Sequence, residues 1–517
     1  MPTYLAPGVY VEELEAGARP LEGVGTAVAA FVGLAEDGPF NTPTLVSNWT
    51  AFTSTFGGFV AGSYLAHSVY GYFLNGGGNC YVVRIGQSQE PAPRSGRGRA
   101  AAIASAPQAQ IGRIKVRALD PAAEPGSISV EVAAAGGENP PQDSFKVVVK
   151  QAGQPVEEFD QVTLSRGKTN VATVVNADSK VIKIEEVAAG EVDTVAPGET
   201  QLSAPTAAAA TPSDSLGADD YIGDVADRTG FAGLETVEEI TMLSVPDLMS
   251  AYQQGAIDLE AVQAVQLAMI AHCELMGDRM AILDPPPGLN AQQIKEWRVD
   301  KAGYDSAYAA LYWPWVKVAD PATGTMQFMP PSGHVAGIWG RNDDTRGVHC
   351  APANEVVRGA VSLELQITSR EQELLNPVGI NCIRSFPSRG TRIWGARTLS
   401  SQPEWRYVPV RRLFNYLEES ILSGTNWAVF EPNDEALWAR LRRTISAFLV
   451  NEWRKGALFG STPDEAFFVK CDAETNPAEA IDAGQVACLV GVAPVKPAEF
   501  VIFRLSQFSG GASTVNE

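Results

Sequence analysis

The sequence is poor in the residues that mark secreted, membrane-spanning and metal-binding proteins. It has four histidines and six cysteines in 517 residues, and the cysteines lie far apart, with no paired spacing. We therefore expect reduced thiols and assembly in a cytoplasm, not a disulfide framework. No apolar run approaches the roughly 20 residues of a membrane helix. The opening MPTYLAPGVYVEELEAG has neither the basic nor the apolar segment of a signal peptide.

Positive charge is also scarce. The net charge is −21, so nucleic acid and anionic membranes would repel the chain and are not expected partners. Residues 185–240 carry thirteen acidic groups and one basic group, whereas residues 384–455 carry twelve Lys and Arg against seven Asp and Glu. A basic region on an acidic protein predicts a specific acidic partner.

One long segment has a composition of its own. Residues 91–215 contain no Trp, Tyr, Met, His or Cys. Short strand candidates such as SISVEV and SFKVVVK alternate there with turn residues, which predicts an all-β insertion. On both sides of it, helix and strand patterns are mixed, and Asn290 and Thr368 begin predicted capping boxes. The expected fold class is multi-domain α+β, with a middle domain that the insertion interrupts.

The nearest pattern to a phosphate loop is RGKTN at 166–170. A Walker motif needs glycine five positions before Gly167, where Val162 stands. We also expect the segment to lie between strands, with no following helix to supply amide groups to a phosphate. Nucleotide binding by this segment is therefore not expected.

Candidate metal ligands and paired acids are equally weak. The His-Cys pairs at 272–273 and 349–350 are adjacent residues, which point about 100° apart on a helix and do not chelate one ion easily. The Asp-Asp pair at 343–344 lies in a turn-rich stretch, which favours a solvated loop tip. We expect no cofactor, no metal and no catalytic residue.

The stretch KPAEFVIFRLSQFSGG (496–511) raises a different question. From Phe500 to Leu505 every side chain except Arg504 is apolar, so both faces of an extended strand are apolar. Such a strand belongs inside a sheet, yet no hairpin turn connects it to the strand before it. An unpaired strand would expose a row of N–H and C=O groups. The pattern predicts pairing with another molecule.

The basic region contains a predicted amphipathic helix at 434–455. Its apolar stripe consists of Leu437, Leu441, Ile445, Phe448 and Leu449. Arg440, Arg443 and Arg454 lie roughly opposite this stripe, and the same region holds Arg411 and Arg412. A solvated face is one interpretation. The other is a surface that meets an acidic partner, because glutamates do not alternate with these arginines.

Several long runs resemble one family. NPVGINCIRSFPSRGTRIWGARTLSSQPEWRYVPVRRLFNYLEESILSGTNWAVFEPNDEALW, GSTPDEAFFVKCD and GVAPVKPAEFVIFRLSQ resemble the C-terminal region of contractile tail sheath proteins. PSGHVAGIWGRNDDTRGVHCAPANEVVRGA resembles the middle region, and APGVYVEEL the N-terminus. The family includes myophage tails, contractile bacteriocins and phage-tail-like injection systems. The resemblance covers most of residues 1–90 and 230–508 and excludes residues 91–215.

The resemblance implies a domain plan. Both chain ends would be extended arms that complete a β-sheet on neighbouring subunits. The expected regions are an N-terminal arm and linker (1–25), a discontinuous middle α+β domain (26–90 and 216–378), an outward-facing β insertion (91–215), an inner core domain (379–498) and a C-terminal arm strand (499–517).

The resemblance also implies a function. The chain would be a structural subunit that polymerises as a helical stack of six-fold rings around an inner tube. Contraction from a metastable extended state would drive the tube through a target envelope. Its partners would be copies of itself, the inner tube protein, and baseplate and terminator or cap proteins, without membrane insertion. Assembly would take place in the bacterial cytoplasm, as part of a phage tail or a released phage-tail-like particle.

Two sets of residues carry this expectation. The arm strands are Val9, Tyr10, Val11, Phe500, Val501, Ile502, Phe503 and Leu505. The candidate tube-facing residues are Arg440, Arg443, Arg454 and Lys455.

Two alternatives remain open. A non-contractile tube or baseplate component would satisfy its own sheet edges, so removal of residues 499–517 would leave its assembly intact. A hydrolase or NTPase would use the β insertion, with RGKTN as its only support.

Overall fold

The computed structural model describes residues 21–86, 216–321 and 323–503. Of the region between, it describes 108–111, 114–118, 128–136, 144–151, 154–163, 169–179, 181–186 and 198–202. The chain forms two compact units, one made of residues 1–87 and 212–517 and the other of residues 88–211. The predicted arm residues Val9, Tyr10, Val11 and Leu505 lie outside the described residues.

The first unit begins with strands and helices in alternation. Asn48 starts the first helix, since its side chain accepts a hydrogen bond from the amide of Ala51 at 2.8 Å. The elements are β1 (Ala29–Gly33), β2 (Thr44–Val46), α1 (Trp49–Phe56), α2 (Leu65–Leu74) and β3 (Cys80–Arg84).

The insertion contains two antiparallel sheets and a helix. Its elements are β4 (Gln108–Ile111), β5 (Ile114–Ala118), β6 (Ile128–Ala134), β7 (Phe145–Gln151), β8 (Gln154–Val162), α3 (Val171–Asp178), β9 (Ile182–Glu186) and β10 (Gly198–Gln201). The sheet orders are β10-β6-β7-β8 and β4-β5-β9.

The all-β prediction for the insertion is wrong because of α3. Asn170 caps this helix through the amide of Thr173, and Val171 and Val175, one turn apart, are buried in the core of the insertion. The valine-rich sequence locally favours a strand. The cap and the shared burial of two side chains at i and i+4 select a helix instead.

After the insertion the chain returns to the first unit. The predicted capping boxes at Asn290 and Thr368 are confirmed. The elements are α4 (Ala218–Ile222), β11 (Met242–Ser244), α5 (Asp247–Gln253), α6 (Leu259–Met276), β12 (Met280–Leu283), α7 (Ala291–Glu296), β13 (Ala309–Trp313), β14 (Val316–Ala319), β15 (Met326–Met329), α8 (Ser332–Arg346), β16 (Ala360–Leu363), α9 (Ser369–Leu375), β17 (Ile380–Phe386) and β18 (Gly390–Ile393).

Eight strands form the central sheet in the order β18-β17-β13-β12-β11-β1-β3-β2. The six inner strands are parallel, and β2 and β18 add antiparallel edges. The mixed α and β class is confirmed. The prediction of α+β did not foresee that the central sheet would be mostly parallel. The strands β17 and β18 extend the sheet, whereas the sequence assigned them to a domain starting at residue 379.

Helices cover both faces of the central sheet, which explains its continuous apolar strands. In β1, Ala30 and Val32 face a core shared with α5, α6 and α7. Their neighbours Ala29 and Phe31 face a second core shared with α1, α2 and α8. A separate three-stranded sheet has the order β15-β14-β16.

The C-terminal part packs two long helices against a small hairpin. Its elements are α10 (Val408–Thr425), α11 (Glu435–Arg454), α12 (Pro463–Ala466), β19 (Phe467–Lys470), α13 (Ala478–Asp482) and β20 (Leu489–Val492). The predicted apolar stripe of α11 is buried. Residues 426–428, which follow α10, form a 3₁₀ turn.

Candidate functional site

The predicted C-terminal strand is not formed as a strand within the described residues, and its first four residues pair with no sheet there. Phe500, Val501, Ile502 and Phe503 belong to no sheet, and their exposed fractions are 71, 70, 78 and 83%. Four consecutive apolar side chains in water are unfavourable by roughly 1.5–3 kcal/mol each relative to burial. The segment is therefore a strand without its sheet.

The residue just before this segment is firmly held. The Glu499 carboxylate accepts hydrogen bonds from Arg397 Nε at 2.9 Å and Nη2 at 2.5 Å. Asn376 Nδ2 donates at 2.6 Å and the Tyr407 hydroxyl at 3.2 Å. Burial alone would raise the pKa of Glu499, but the hydrogen bonds from Arg397 and Asn376 outweigh it and hold this pKa below its usual value. The apolar segment thus leaves the body from a fixed point.

The hairpin β19–β20 is a sheet with open edges. Its antiparallel register runs from Phe467 opposite Val492 to Lys470 opposite Leu489. In the part of the chain that the structure describes, no third strand joins this sheet, although residues 457–459 hydrogen-bond to residues 493–495 just beyond the end of β20. Phe468 and Leu489 are each 55% exposed. Two strands alone are marginally stable, and open edges with exposed apolar side chains are suited to accept further strands.

The N-terminal linker is not free along its whole predicted length. Leu21 is buried against Gly424 of α10. The amide of Val24 donates to Ser420 Oγ at 3.1 Å, and the carbonyl of Thr26 accepts from Arg412 at 2.8 Å. The predicted arm and linker (1–25) therefore packs against the body from Leu21 onward. Nothing in the sequence marks these distant partners.

Two of the four basic side chains predicted to form a face of α11 are paired with carboxylates in the structure. Arg440 pairs with Glu431 at 3.1 Å and lies over the Trp427 ring at 4.1 Å. Lys455 pairs with Glu452 at 2.7 Å.

Arg443 and Arg454 are exposed. No side-chain partner of either is found among the described residues. They are eleven residues apart, so they share one side of the helix at a distance of about 16 Å.

Arg411 and Arg412 do not belong to any exposed basic face. Both are buried, with 5% and 4% of their surface exposed. Arg411 lies 4.4 Å over the Trp405 ring and 4.7 Å over the Tyr308 ring. The excess of positive charge in residues 384–455 is thus partly internal, which linear charge counting does not detect.

Arg412 forms a buried ion pair that joins three parts of the chain. Its guanidinium donates to the two carboxylate oxygens of Asp343 in α8 at 2.8 and 2.6 Å. It also lies 4.8 Å from the Trp339 ring and binds the Thr26 carbonyl. Asp343 is therefore not a solvated loop tip. The prediction failed because the partner lies 69 residues away along the chain.

A buried carboxyl group lies beneath the N-terminus of α8. Asp284 accepts hydrogen bonds from the Ser332 amide at 2.9 Å and the Ser332 hydroxyl at 2.5 Å. Burial raises the pKa of Asp284 to about 7, although the two Ser332 hydrogen bonds act in the opposite direction.

This carboxyl predicts a pH dependence of stability. Because its pKa is raised on folding, the folded protein binds the proton more tightly, and stability falls as pH rises from about 4 to about 7. A shift of about three units corresponds to roughly 4 kcal/mol. We expect Asp284→Asn to reduce this slope in denaturant unfolding followed by Trp fluorescence, while Asp247, whose pKa burial raises to about 6, keeps its own contribution. That signal reports on the first unit, since residues 91–215 contain no Trp.

Asp305→Asn is the matched control. Asp305 is exposed and its pKa is lowered by hydrogen bonds from Ser401, so its contribution is already complete above about pH 4. An unchanged slope in Asp284→Asn would show that Asp284 titrates normally.

The weaker motifs do not form a chemical site. A helix does follow RGKTN, contrary to our expectation, but the Asn170 side chain occupies its first turn, and Val162 still replaces the Walker glycine. His272 is buried beside Arg279 and Phe231. In the described segments, no three His, Cys, Asp or Glu side chains are placed to hold a metal ion, and no helix is both long and apolar enough to cross a membrane.

Comparison with known proteins assigns residues 216–508 of the first unit. Residues 216–399 match the family model for the phage tail sheath protein central domain, and residues 400–508 match that for the phage tail sheath C-terminal domain. The tail sheath protein of Burkholderia phage BcepMu is 25% identical over 500 residues, which cover 93% of this chain and 92% of that protein.

A Pseudomonas aeruginosa (strain UCBPP-PA14) prophage protein, named as a major tail sheath protein, is 27% identical over 251 residues. The aligned part covers 47% of this chain and 62% of that protein.

Solved structures share the fold. The helical sheath of the anti-feeding prophage in its contracted state has a TM-score of 0.58 at 24% identity, covering 98% of this chain and 100% of that one. The contracted PVC sheath of an extracellular contractile injection system has a TM-score of 0.57 at 24% identity, covering 98% and 99%. The chain belongs to the contractile tail sheath family of structural proteins.

Proposed function

We propose that the chain is the polymerising subunit of a contractile sheath, and that its C-terminal segment completes a sheet on a neighbouring copy. One observation carries this proposal: Phe500–Phe503 is an exposed apolar segment that joins no sheet among the described residues, and β19–β20 is a sheet of only two strands. The apolar segment lacks a sheet to join, and the hairpin lacks further strands at its edges. A second copy of this chain therefore satisfies both.

The energetics favour exchange onto a preformed sheet. Burial of the four described arm side chains contributes roughly 1.5–3 kcal/mol each. Ordering the backbone costs about 1–2 kcal/mol per residue, so apolar burial alone gives little net affinity. The ladder of backbone hydrogen bonds must add to it, which requires an acceptor that is already a sheet.

The residues from which the two predicted arms leave the body are fixed, which suits a sheath that changes shape. Glu499 and Leu21 are both held by contacts with the body. Subunits could then rotate relative to one another while each exchanged strand stays paired. We propose that the sheath contracts from a metastable extended state around an inner tube. This contraction would drive the tube through a target envelope. The outward position of the insertion remains a prediction.

We further propose that Arg443 and Arg454 face an acidic surface of the inner tube. Both are exposed on one side of α11, whereas Arg440 and Lys455 already have carboxylate partners. Charge reversal of both residues is expected to weaken co-sedimentation with purified tube protein and to leave polymer formation by the sheath alone intact. The loss should be largest at low salt, because surface charges are screened over about 10 Å at 0.1 M.

Arg370→Glu with Lys301→Glu is the matched control. Both residues are exposed and outside the C-terminal part, and the pair changes net charge by the same amount. Equal tube binding by wild type and the Arg443/Arg454 variant would exclude this surface.

A baseplate component is the second candidate function. A chain in the anti-feeding prophage baseplate has a TM-score of 0.58 to this chain at 24% identity. Negative-stain imaging of the protein expressed alone distinguishes the two, since ribbed hollow tubes indicate a sheath and isolated rings a baseplate part. We propose no catalytic activity, and assays of nucleotide hydrolysis by the purified subunit test this.

A further inference from the structure

Two cysteines lie side by side at one end of the β19–β20 hairpin. The last register pair is Lys470 with Leu489, and Cys471 and Cys488 are the next residue on each strand. The two thiol groups are close enough for each to shift the pKa of the other. Both are in the reduced state. Because 16 residues separate them in sequence, only the folded hairpin brings them together.

The surrounding contacts fix the position of both residues. Arg442 Nη1 donates to the Cys471 carbonyl at 2.7 Å. The Asn476 side chain approaches the Cys471 sulfur at 3.8 Å and exchanges two hydrogen bonds with the backbone of Ala487, at 2.6 and 3.1 Å. Cys471 is fully buried, while Cys488 is half-buried. The pair is thus held together, with one thiol open to a reagent.

We propose that Cys471 and Cys488 form a reversible disulfide that closes the β19–β20 hairpin under oxidising conditions. Directly opposed residues of an antiparallel pair have Cα atoms about 4.5–5.5 Å apart. Disulfides span Cα distances of about 4.4–6.8 Å. Continuation of the register beyond Lys470 and Leu489 would therefore bring the two Cα atoms within the range that a disulfide spans.

A small-molecule disulfide such as oxidised glutathione serves as the oxidant. The Cys488 thiolate attacks one glutathione sulfur, forming a mixed disulfide and releasing one glutathione thiolate. The Cys471 thiolate then attacks the Cys488 sulfur and releases the second glutathione. Two electrons pass from the protein to the oxidant, and the two thiol protons go to the released glutathione molecules.

The reaction should be slow at neutral pH. Burial raises the pKa of Cys488 to about 12 and also raises that of Cys471, so the attacking thiolate is rare. The rate should rise steadily with pH. Such chemistry suits a bond that forms once and persists, and it does not suit a rapid redox sensor.

The bond would stabilise the sheet that the proposed strand exchange uses. It closes a covalent loop over residues 471–488 and so restrains the two open-edged strands, including α13 between them. The disulfide itself does not depend on strand exchange. A subunit that forms the bond and fails to polymerise would overturn the proposed function and leave this inference standing.

Peptide mapping of the full-length protein tests the proposal. The native chain is incubated with oxidised glutathione, remaining thiols are alkylated, and the digest is analysed by mass spectrometry with and without dithiothreitol. We expect one reducible cross-link that joins the peptides of Cys471 and Cys488, formed faster as pH rises.

Cys350→Ser is the matched control, since Cys350 is the other partly exposed cysteine, and this variant should keep the cross-link. In Cys488→Ser, Cys471 should remain unmodified. Full alkylation of both native cysteines, or a lasting glutathione adduct on Cys488, would overturn the proposal.

Discussion

A chain that ends at Glu499 should remain folded and soluble but lose polymer formation. The removed segment contains Phe500–Phe503, which contacts no sheet of its own chain in the described residues, so its loss costs the monomer little. The polymer loses roughly 1.5–3 kcal/mol for each apolar side chain no longer buried, and the ladder hydrogen bonds as well. Because this loss recurs at every subunit contact, assembly should fall below detection in sedimentation and negative-stain imaging.

A chain that ends at Gln507 is the control for this truncation. It keeps the whole apolar stretch through Leu505, and we expect it to assemble as the full chain does. Circular dichroism and Trp fluorescence should be unchanged in both proteins. Normal tubes from the chain that ends at Glu499 would refute strand donation by this segment and favour a component whose sheet edges are satisfied internally.

Substitution of Arg412 by alanine should have the largest effect of any single change on monomer stability. It leaves the Asp343 carboxylate buried, with 2% of its side chain exposed, and without its counter-charge. Loss of one partner of a buried ion pair costs about 3–5 kcal/mol. The contacts of α10 with α8 and with Thr26 would be lost at the same time. Denaturant unfolding followed by Trp fluorescence measures the change, and Trp339 lies beside the altered site.

Two variants show whether the effect comes from the buried charge. Arg440→Ala removes a pair with Glu431 in which both side chains are about 40% exposed, and should cost about 0–1 kcal/mol. The double variant Arg412→Met with Asp343→Leu should recover much of the loss, since apolar pairs replace buried ion pairs at little cost. Equal stability of Arg412→Ala and Arg440→Ala would show that the ion pair is not a structural junction.

The features that the sequence predicted well are local or periodic. The apolar stripe of α11 repeats at helical spacing, and its five residues are buried. The capping boxes at Asn290 and Thr368 depend on residues three positions apart, which any helix start brings together. The apolar character of the C-terminal segment is also a local pattern, and its pairing as a strand with another molecule stays a prediction.

The features that it missed depend on contacts between distant residues. The sequence placed Arg411 and Arg412 in the same basic region as the arginines of α11. Their aromatic and acidic partners come from other elements, so the sequence did not reveal that both are buried. Leu21 read as linker, because the glycine that admits its side chain lies in α10. In the insertion, the valine run of α3 favours a strand locally, and only burial of Val171 and Val175 on one side reveals the helix. Charge counts and local propensity contain no such information.

The most direct test is a cryo-EM reconstruction of the assembled polymer in which the chain is traced without a break through Glu499. We predict that residues 500–505 lie as an added strand along an open edge of β19–β20 in an adjacent subunit. The opposite result would be the same residues paired within the sheet of their own subunit, or left in solvent between subunits.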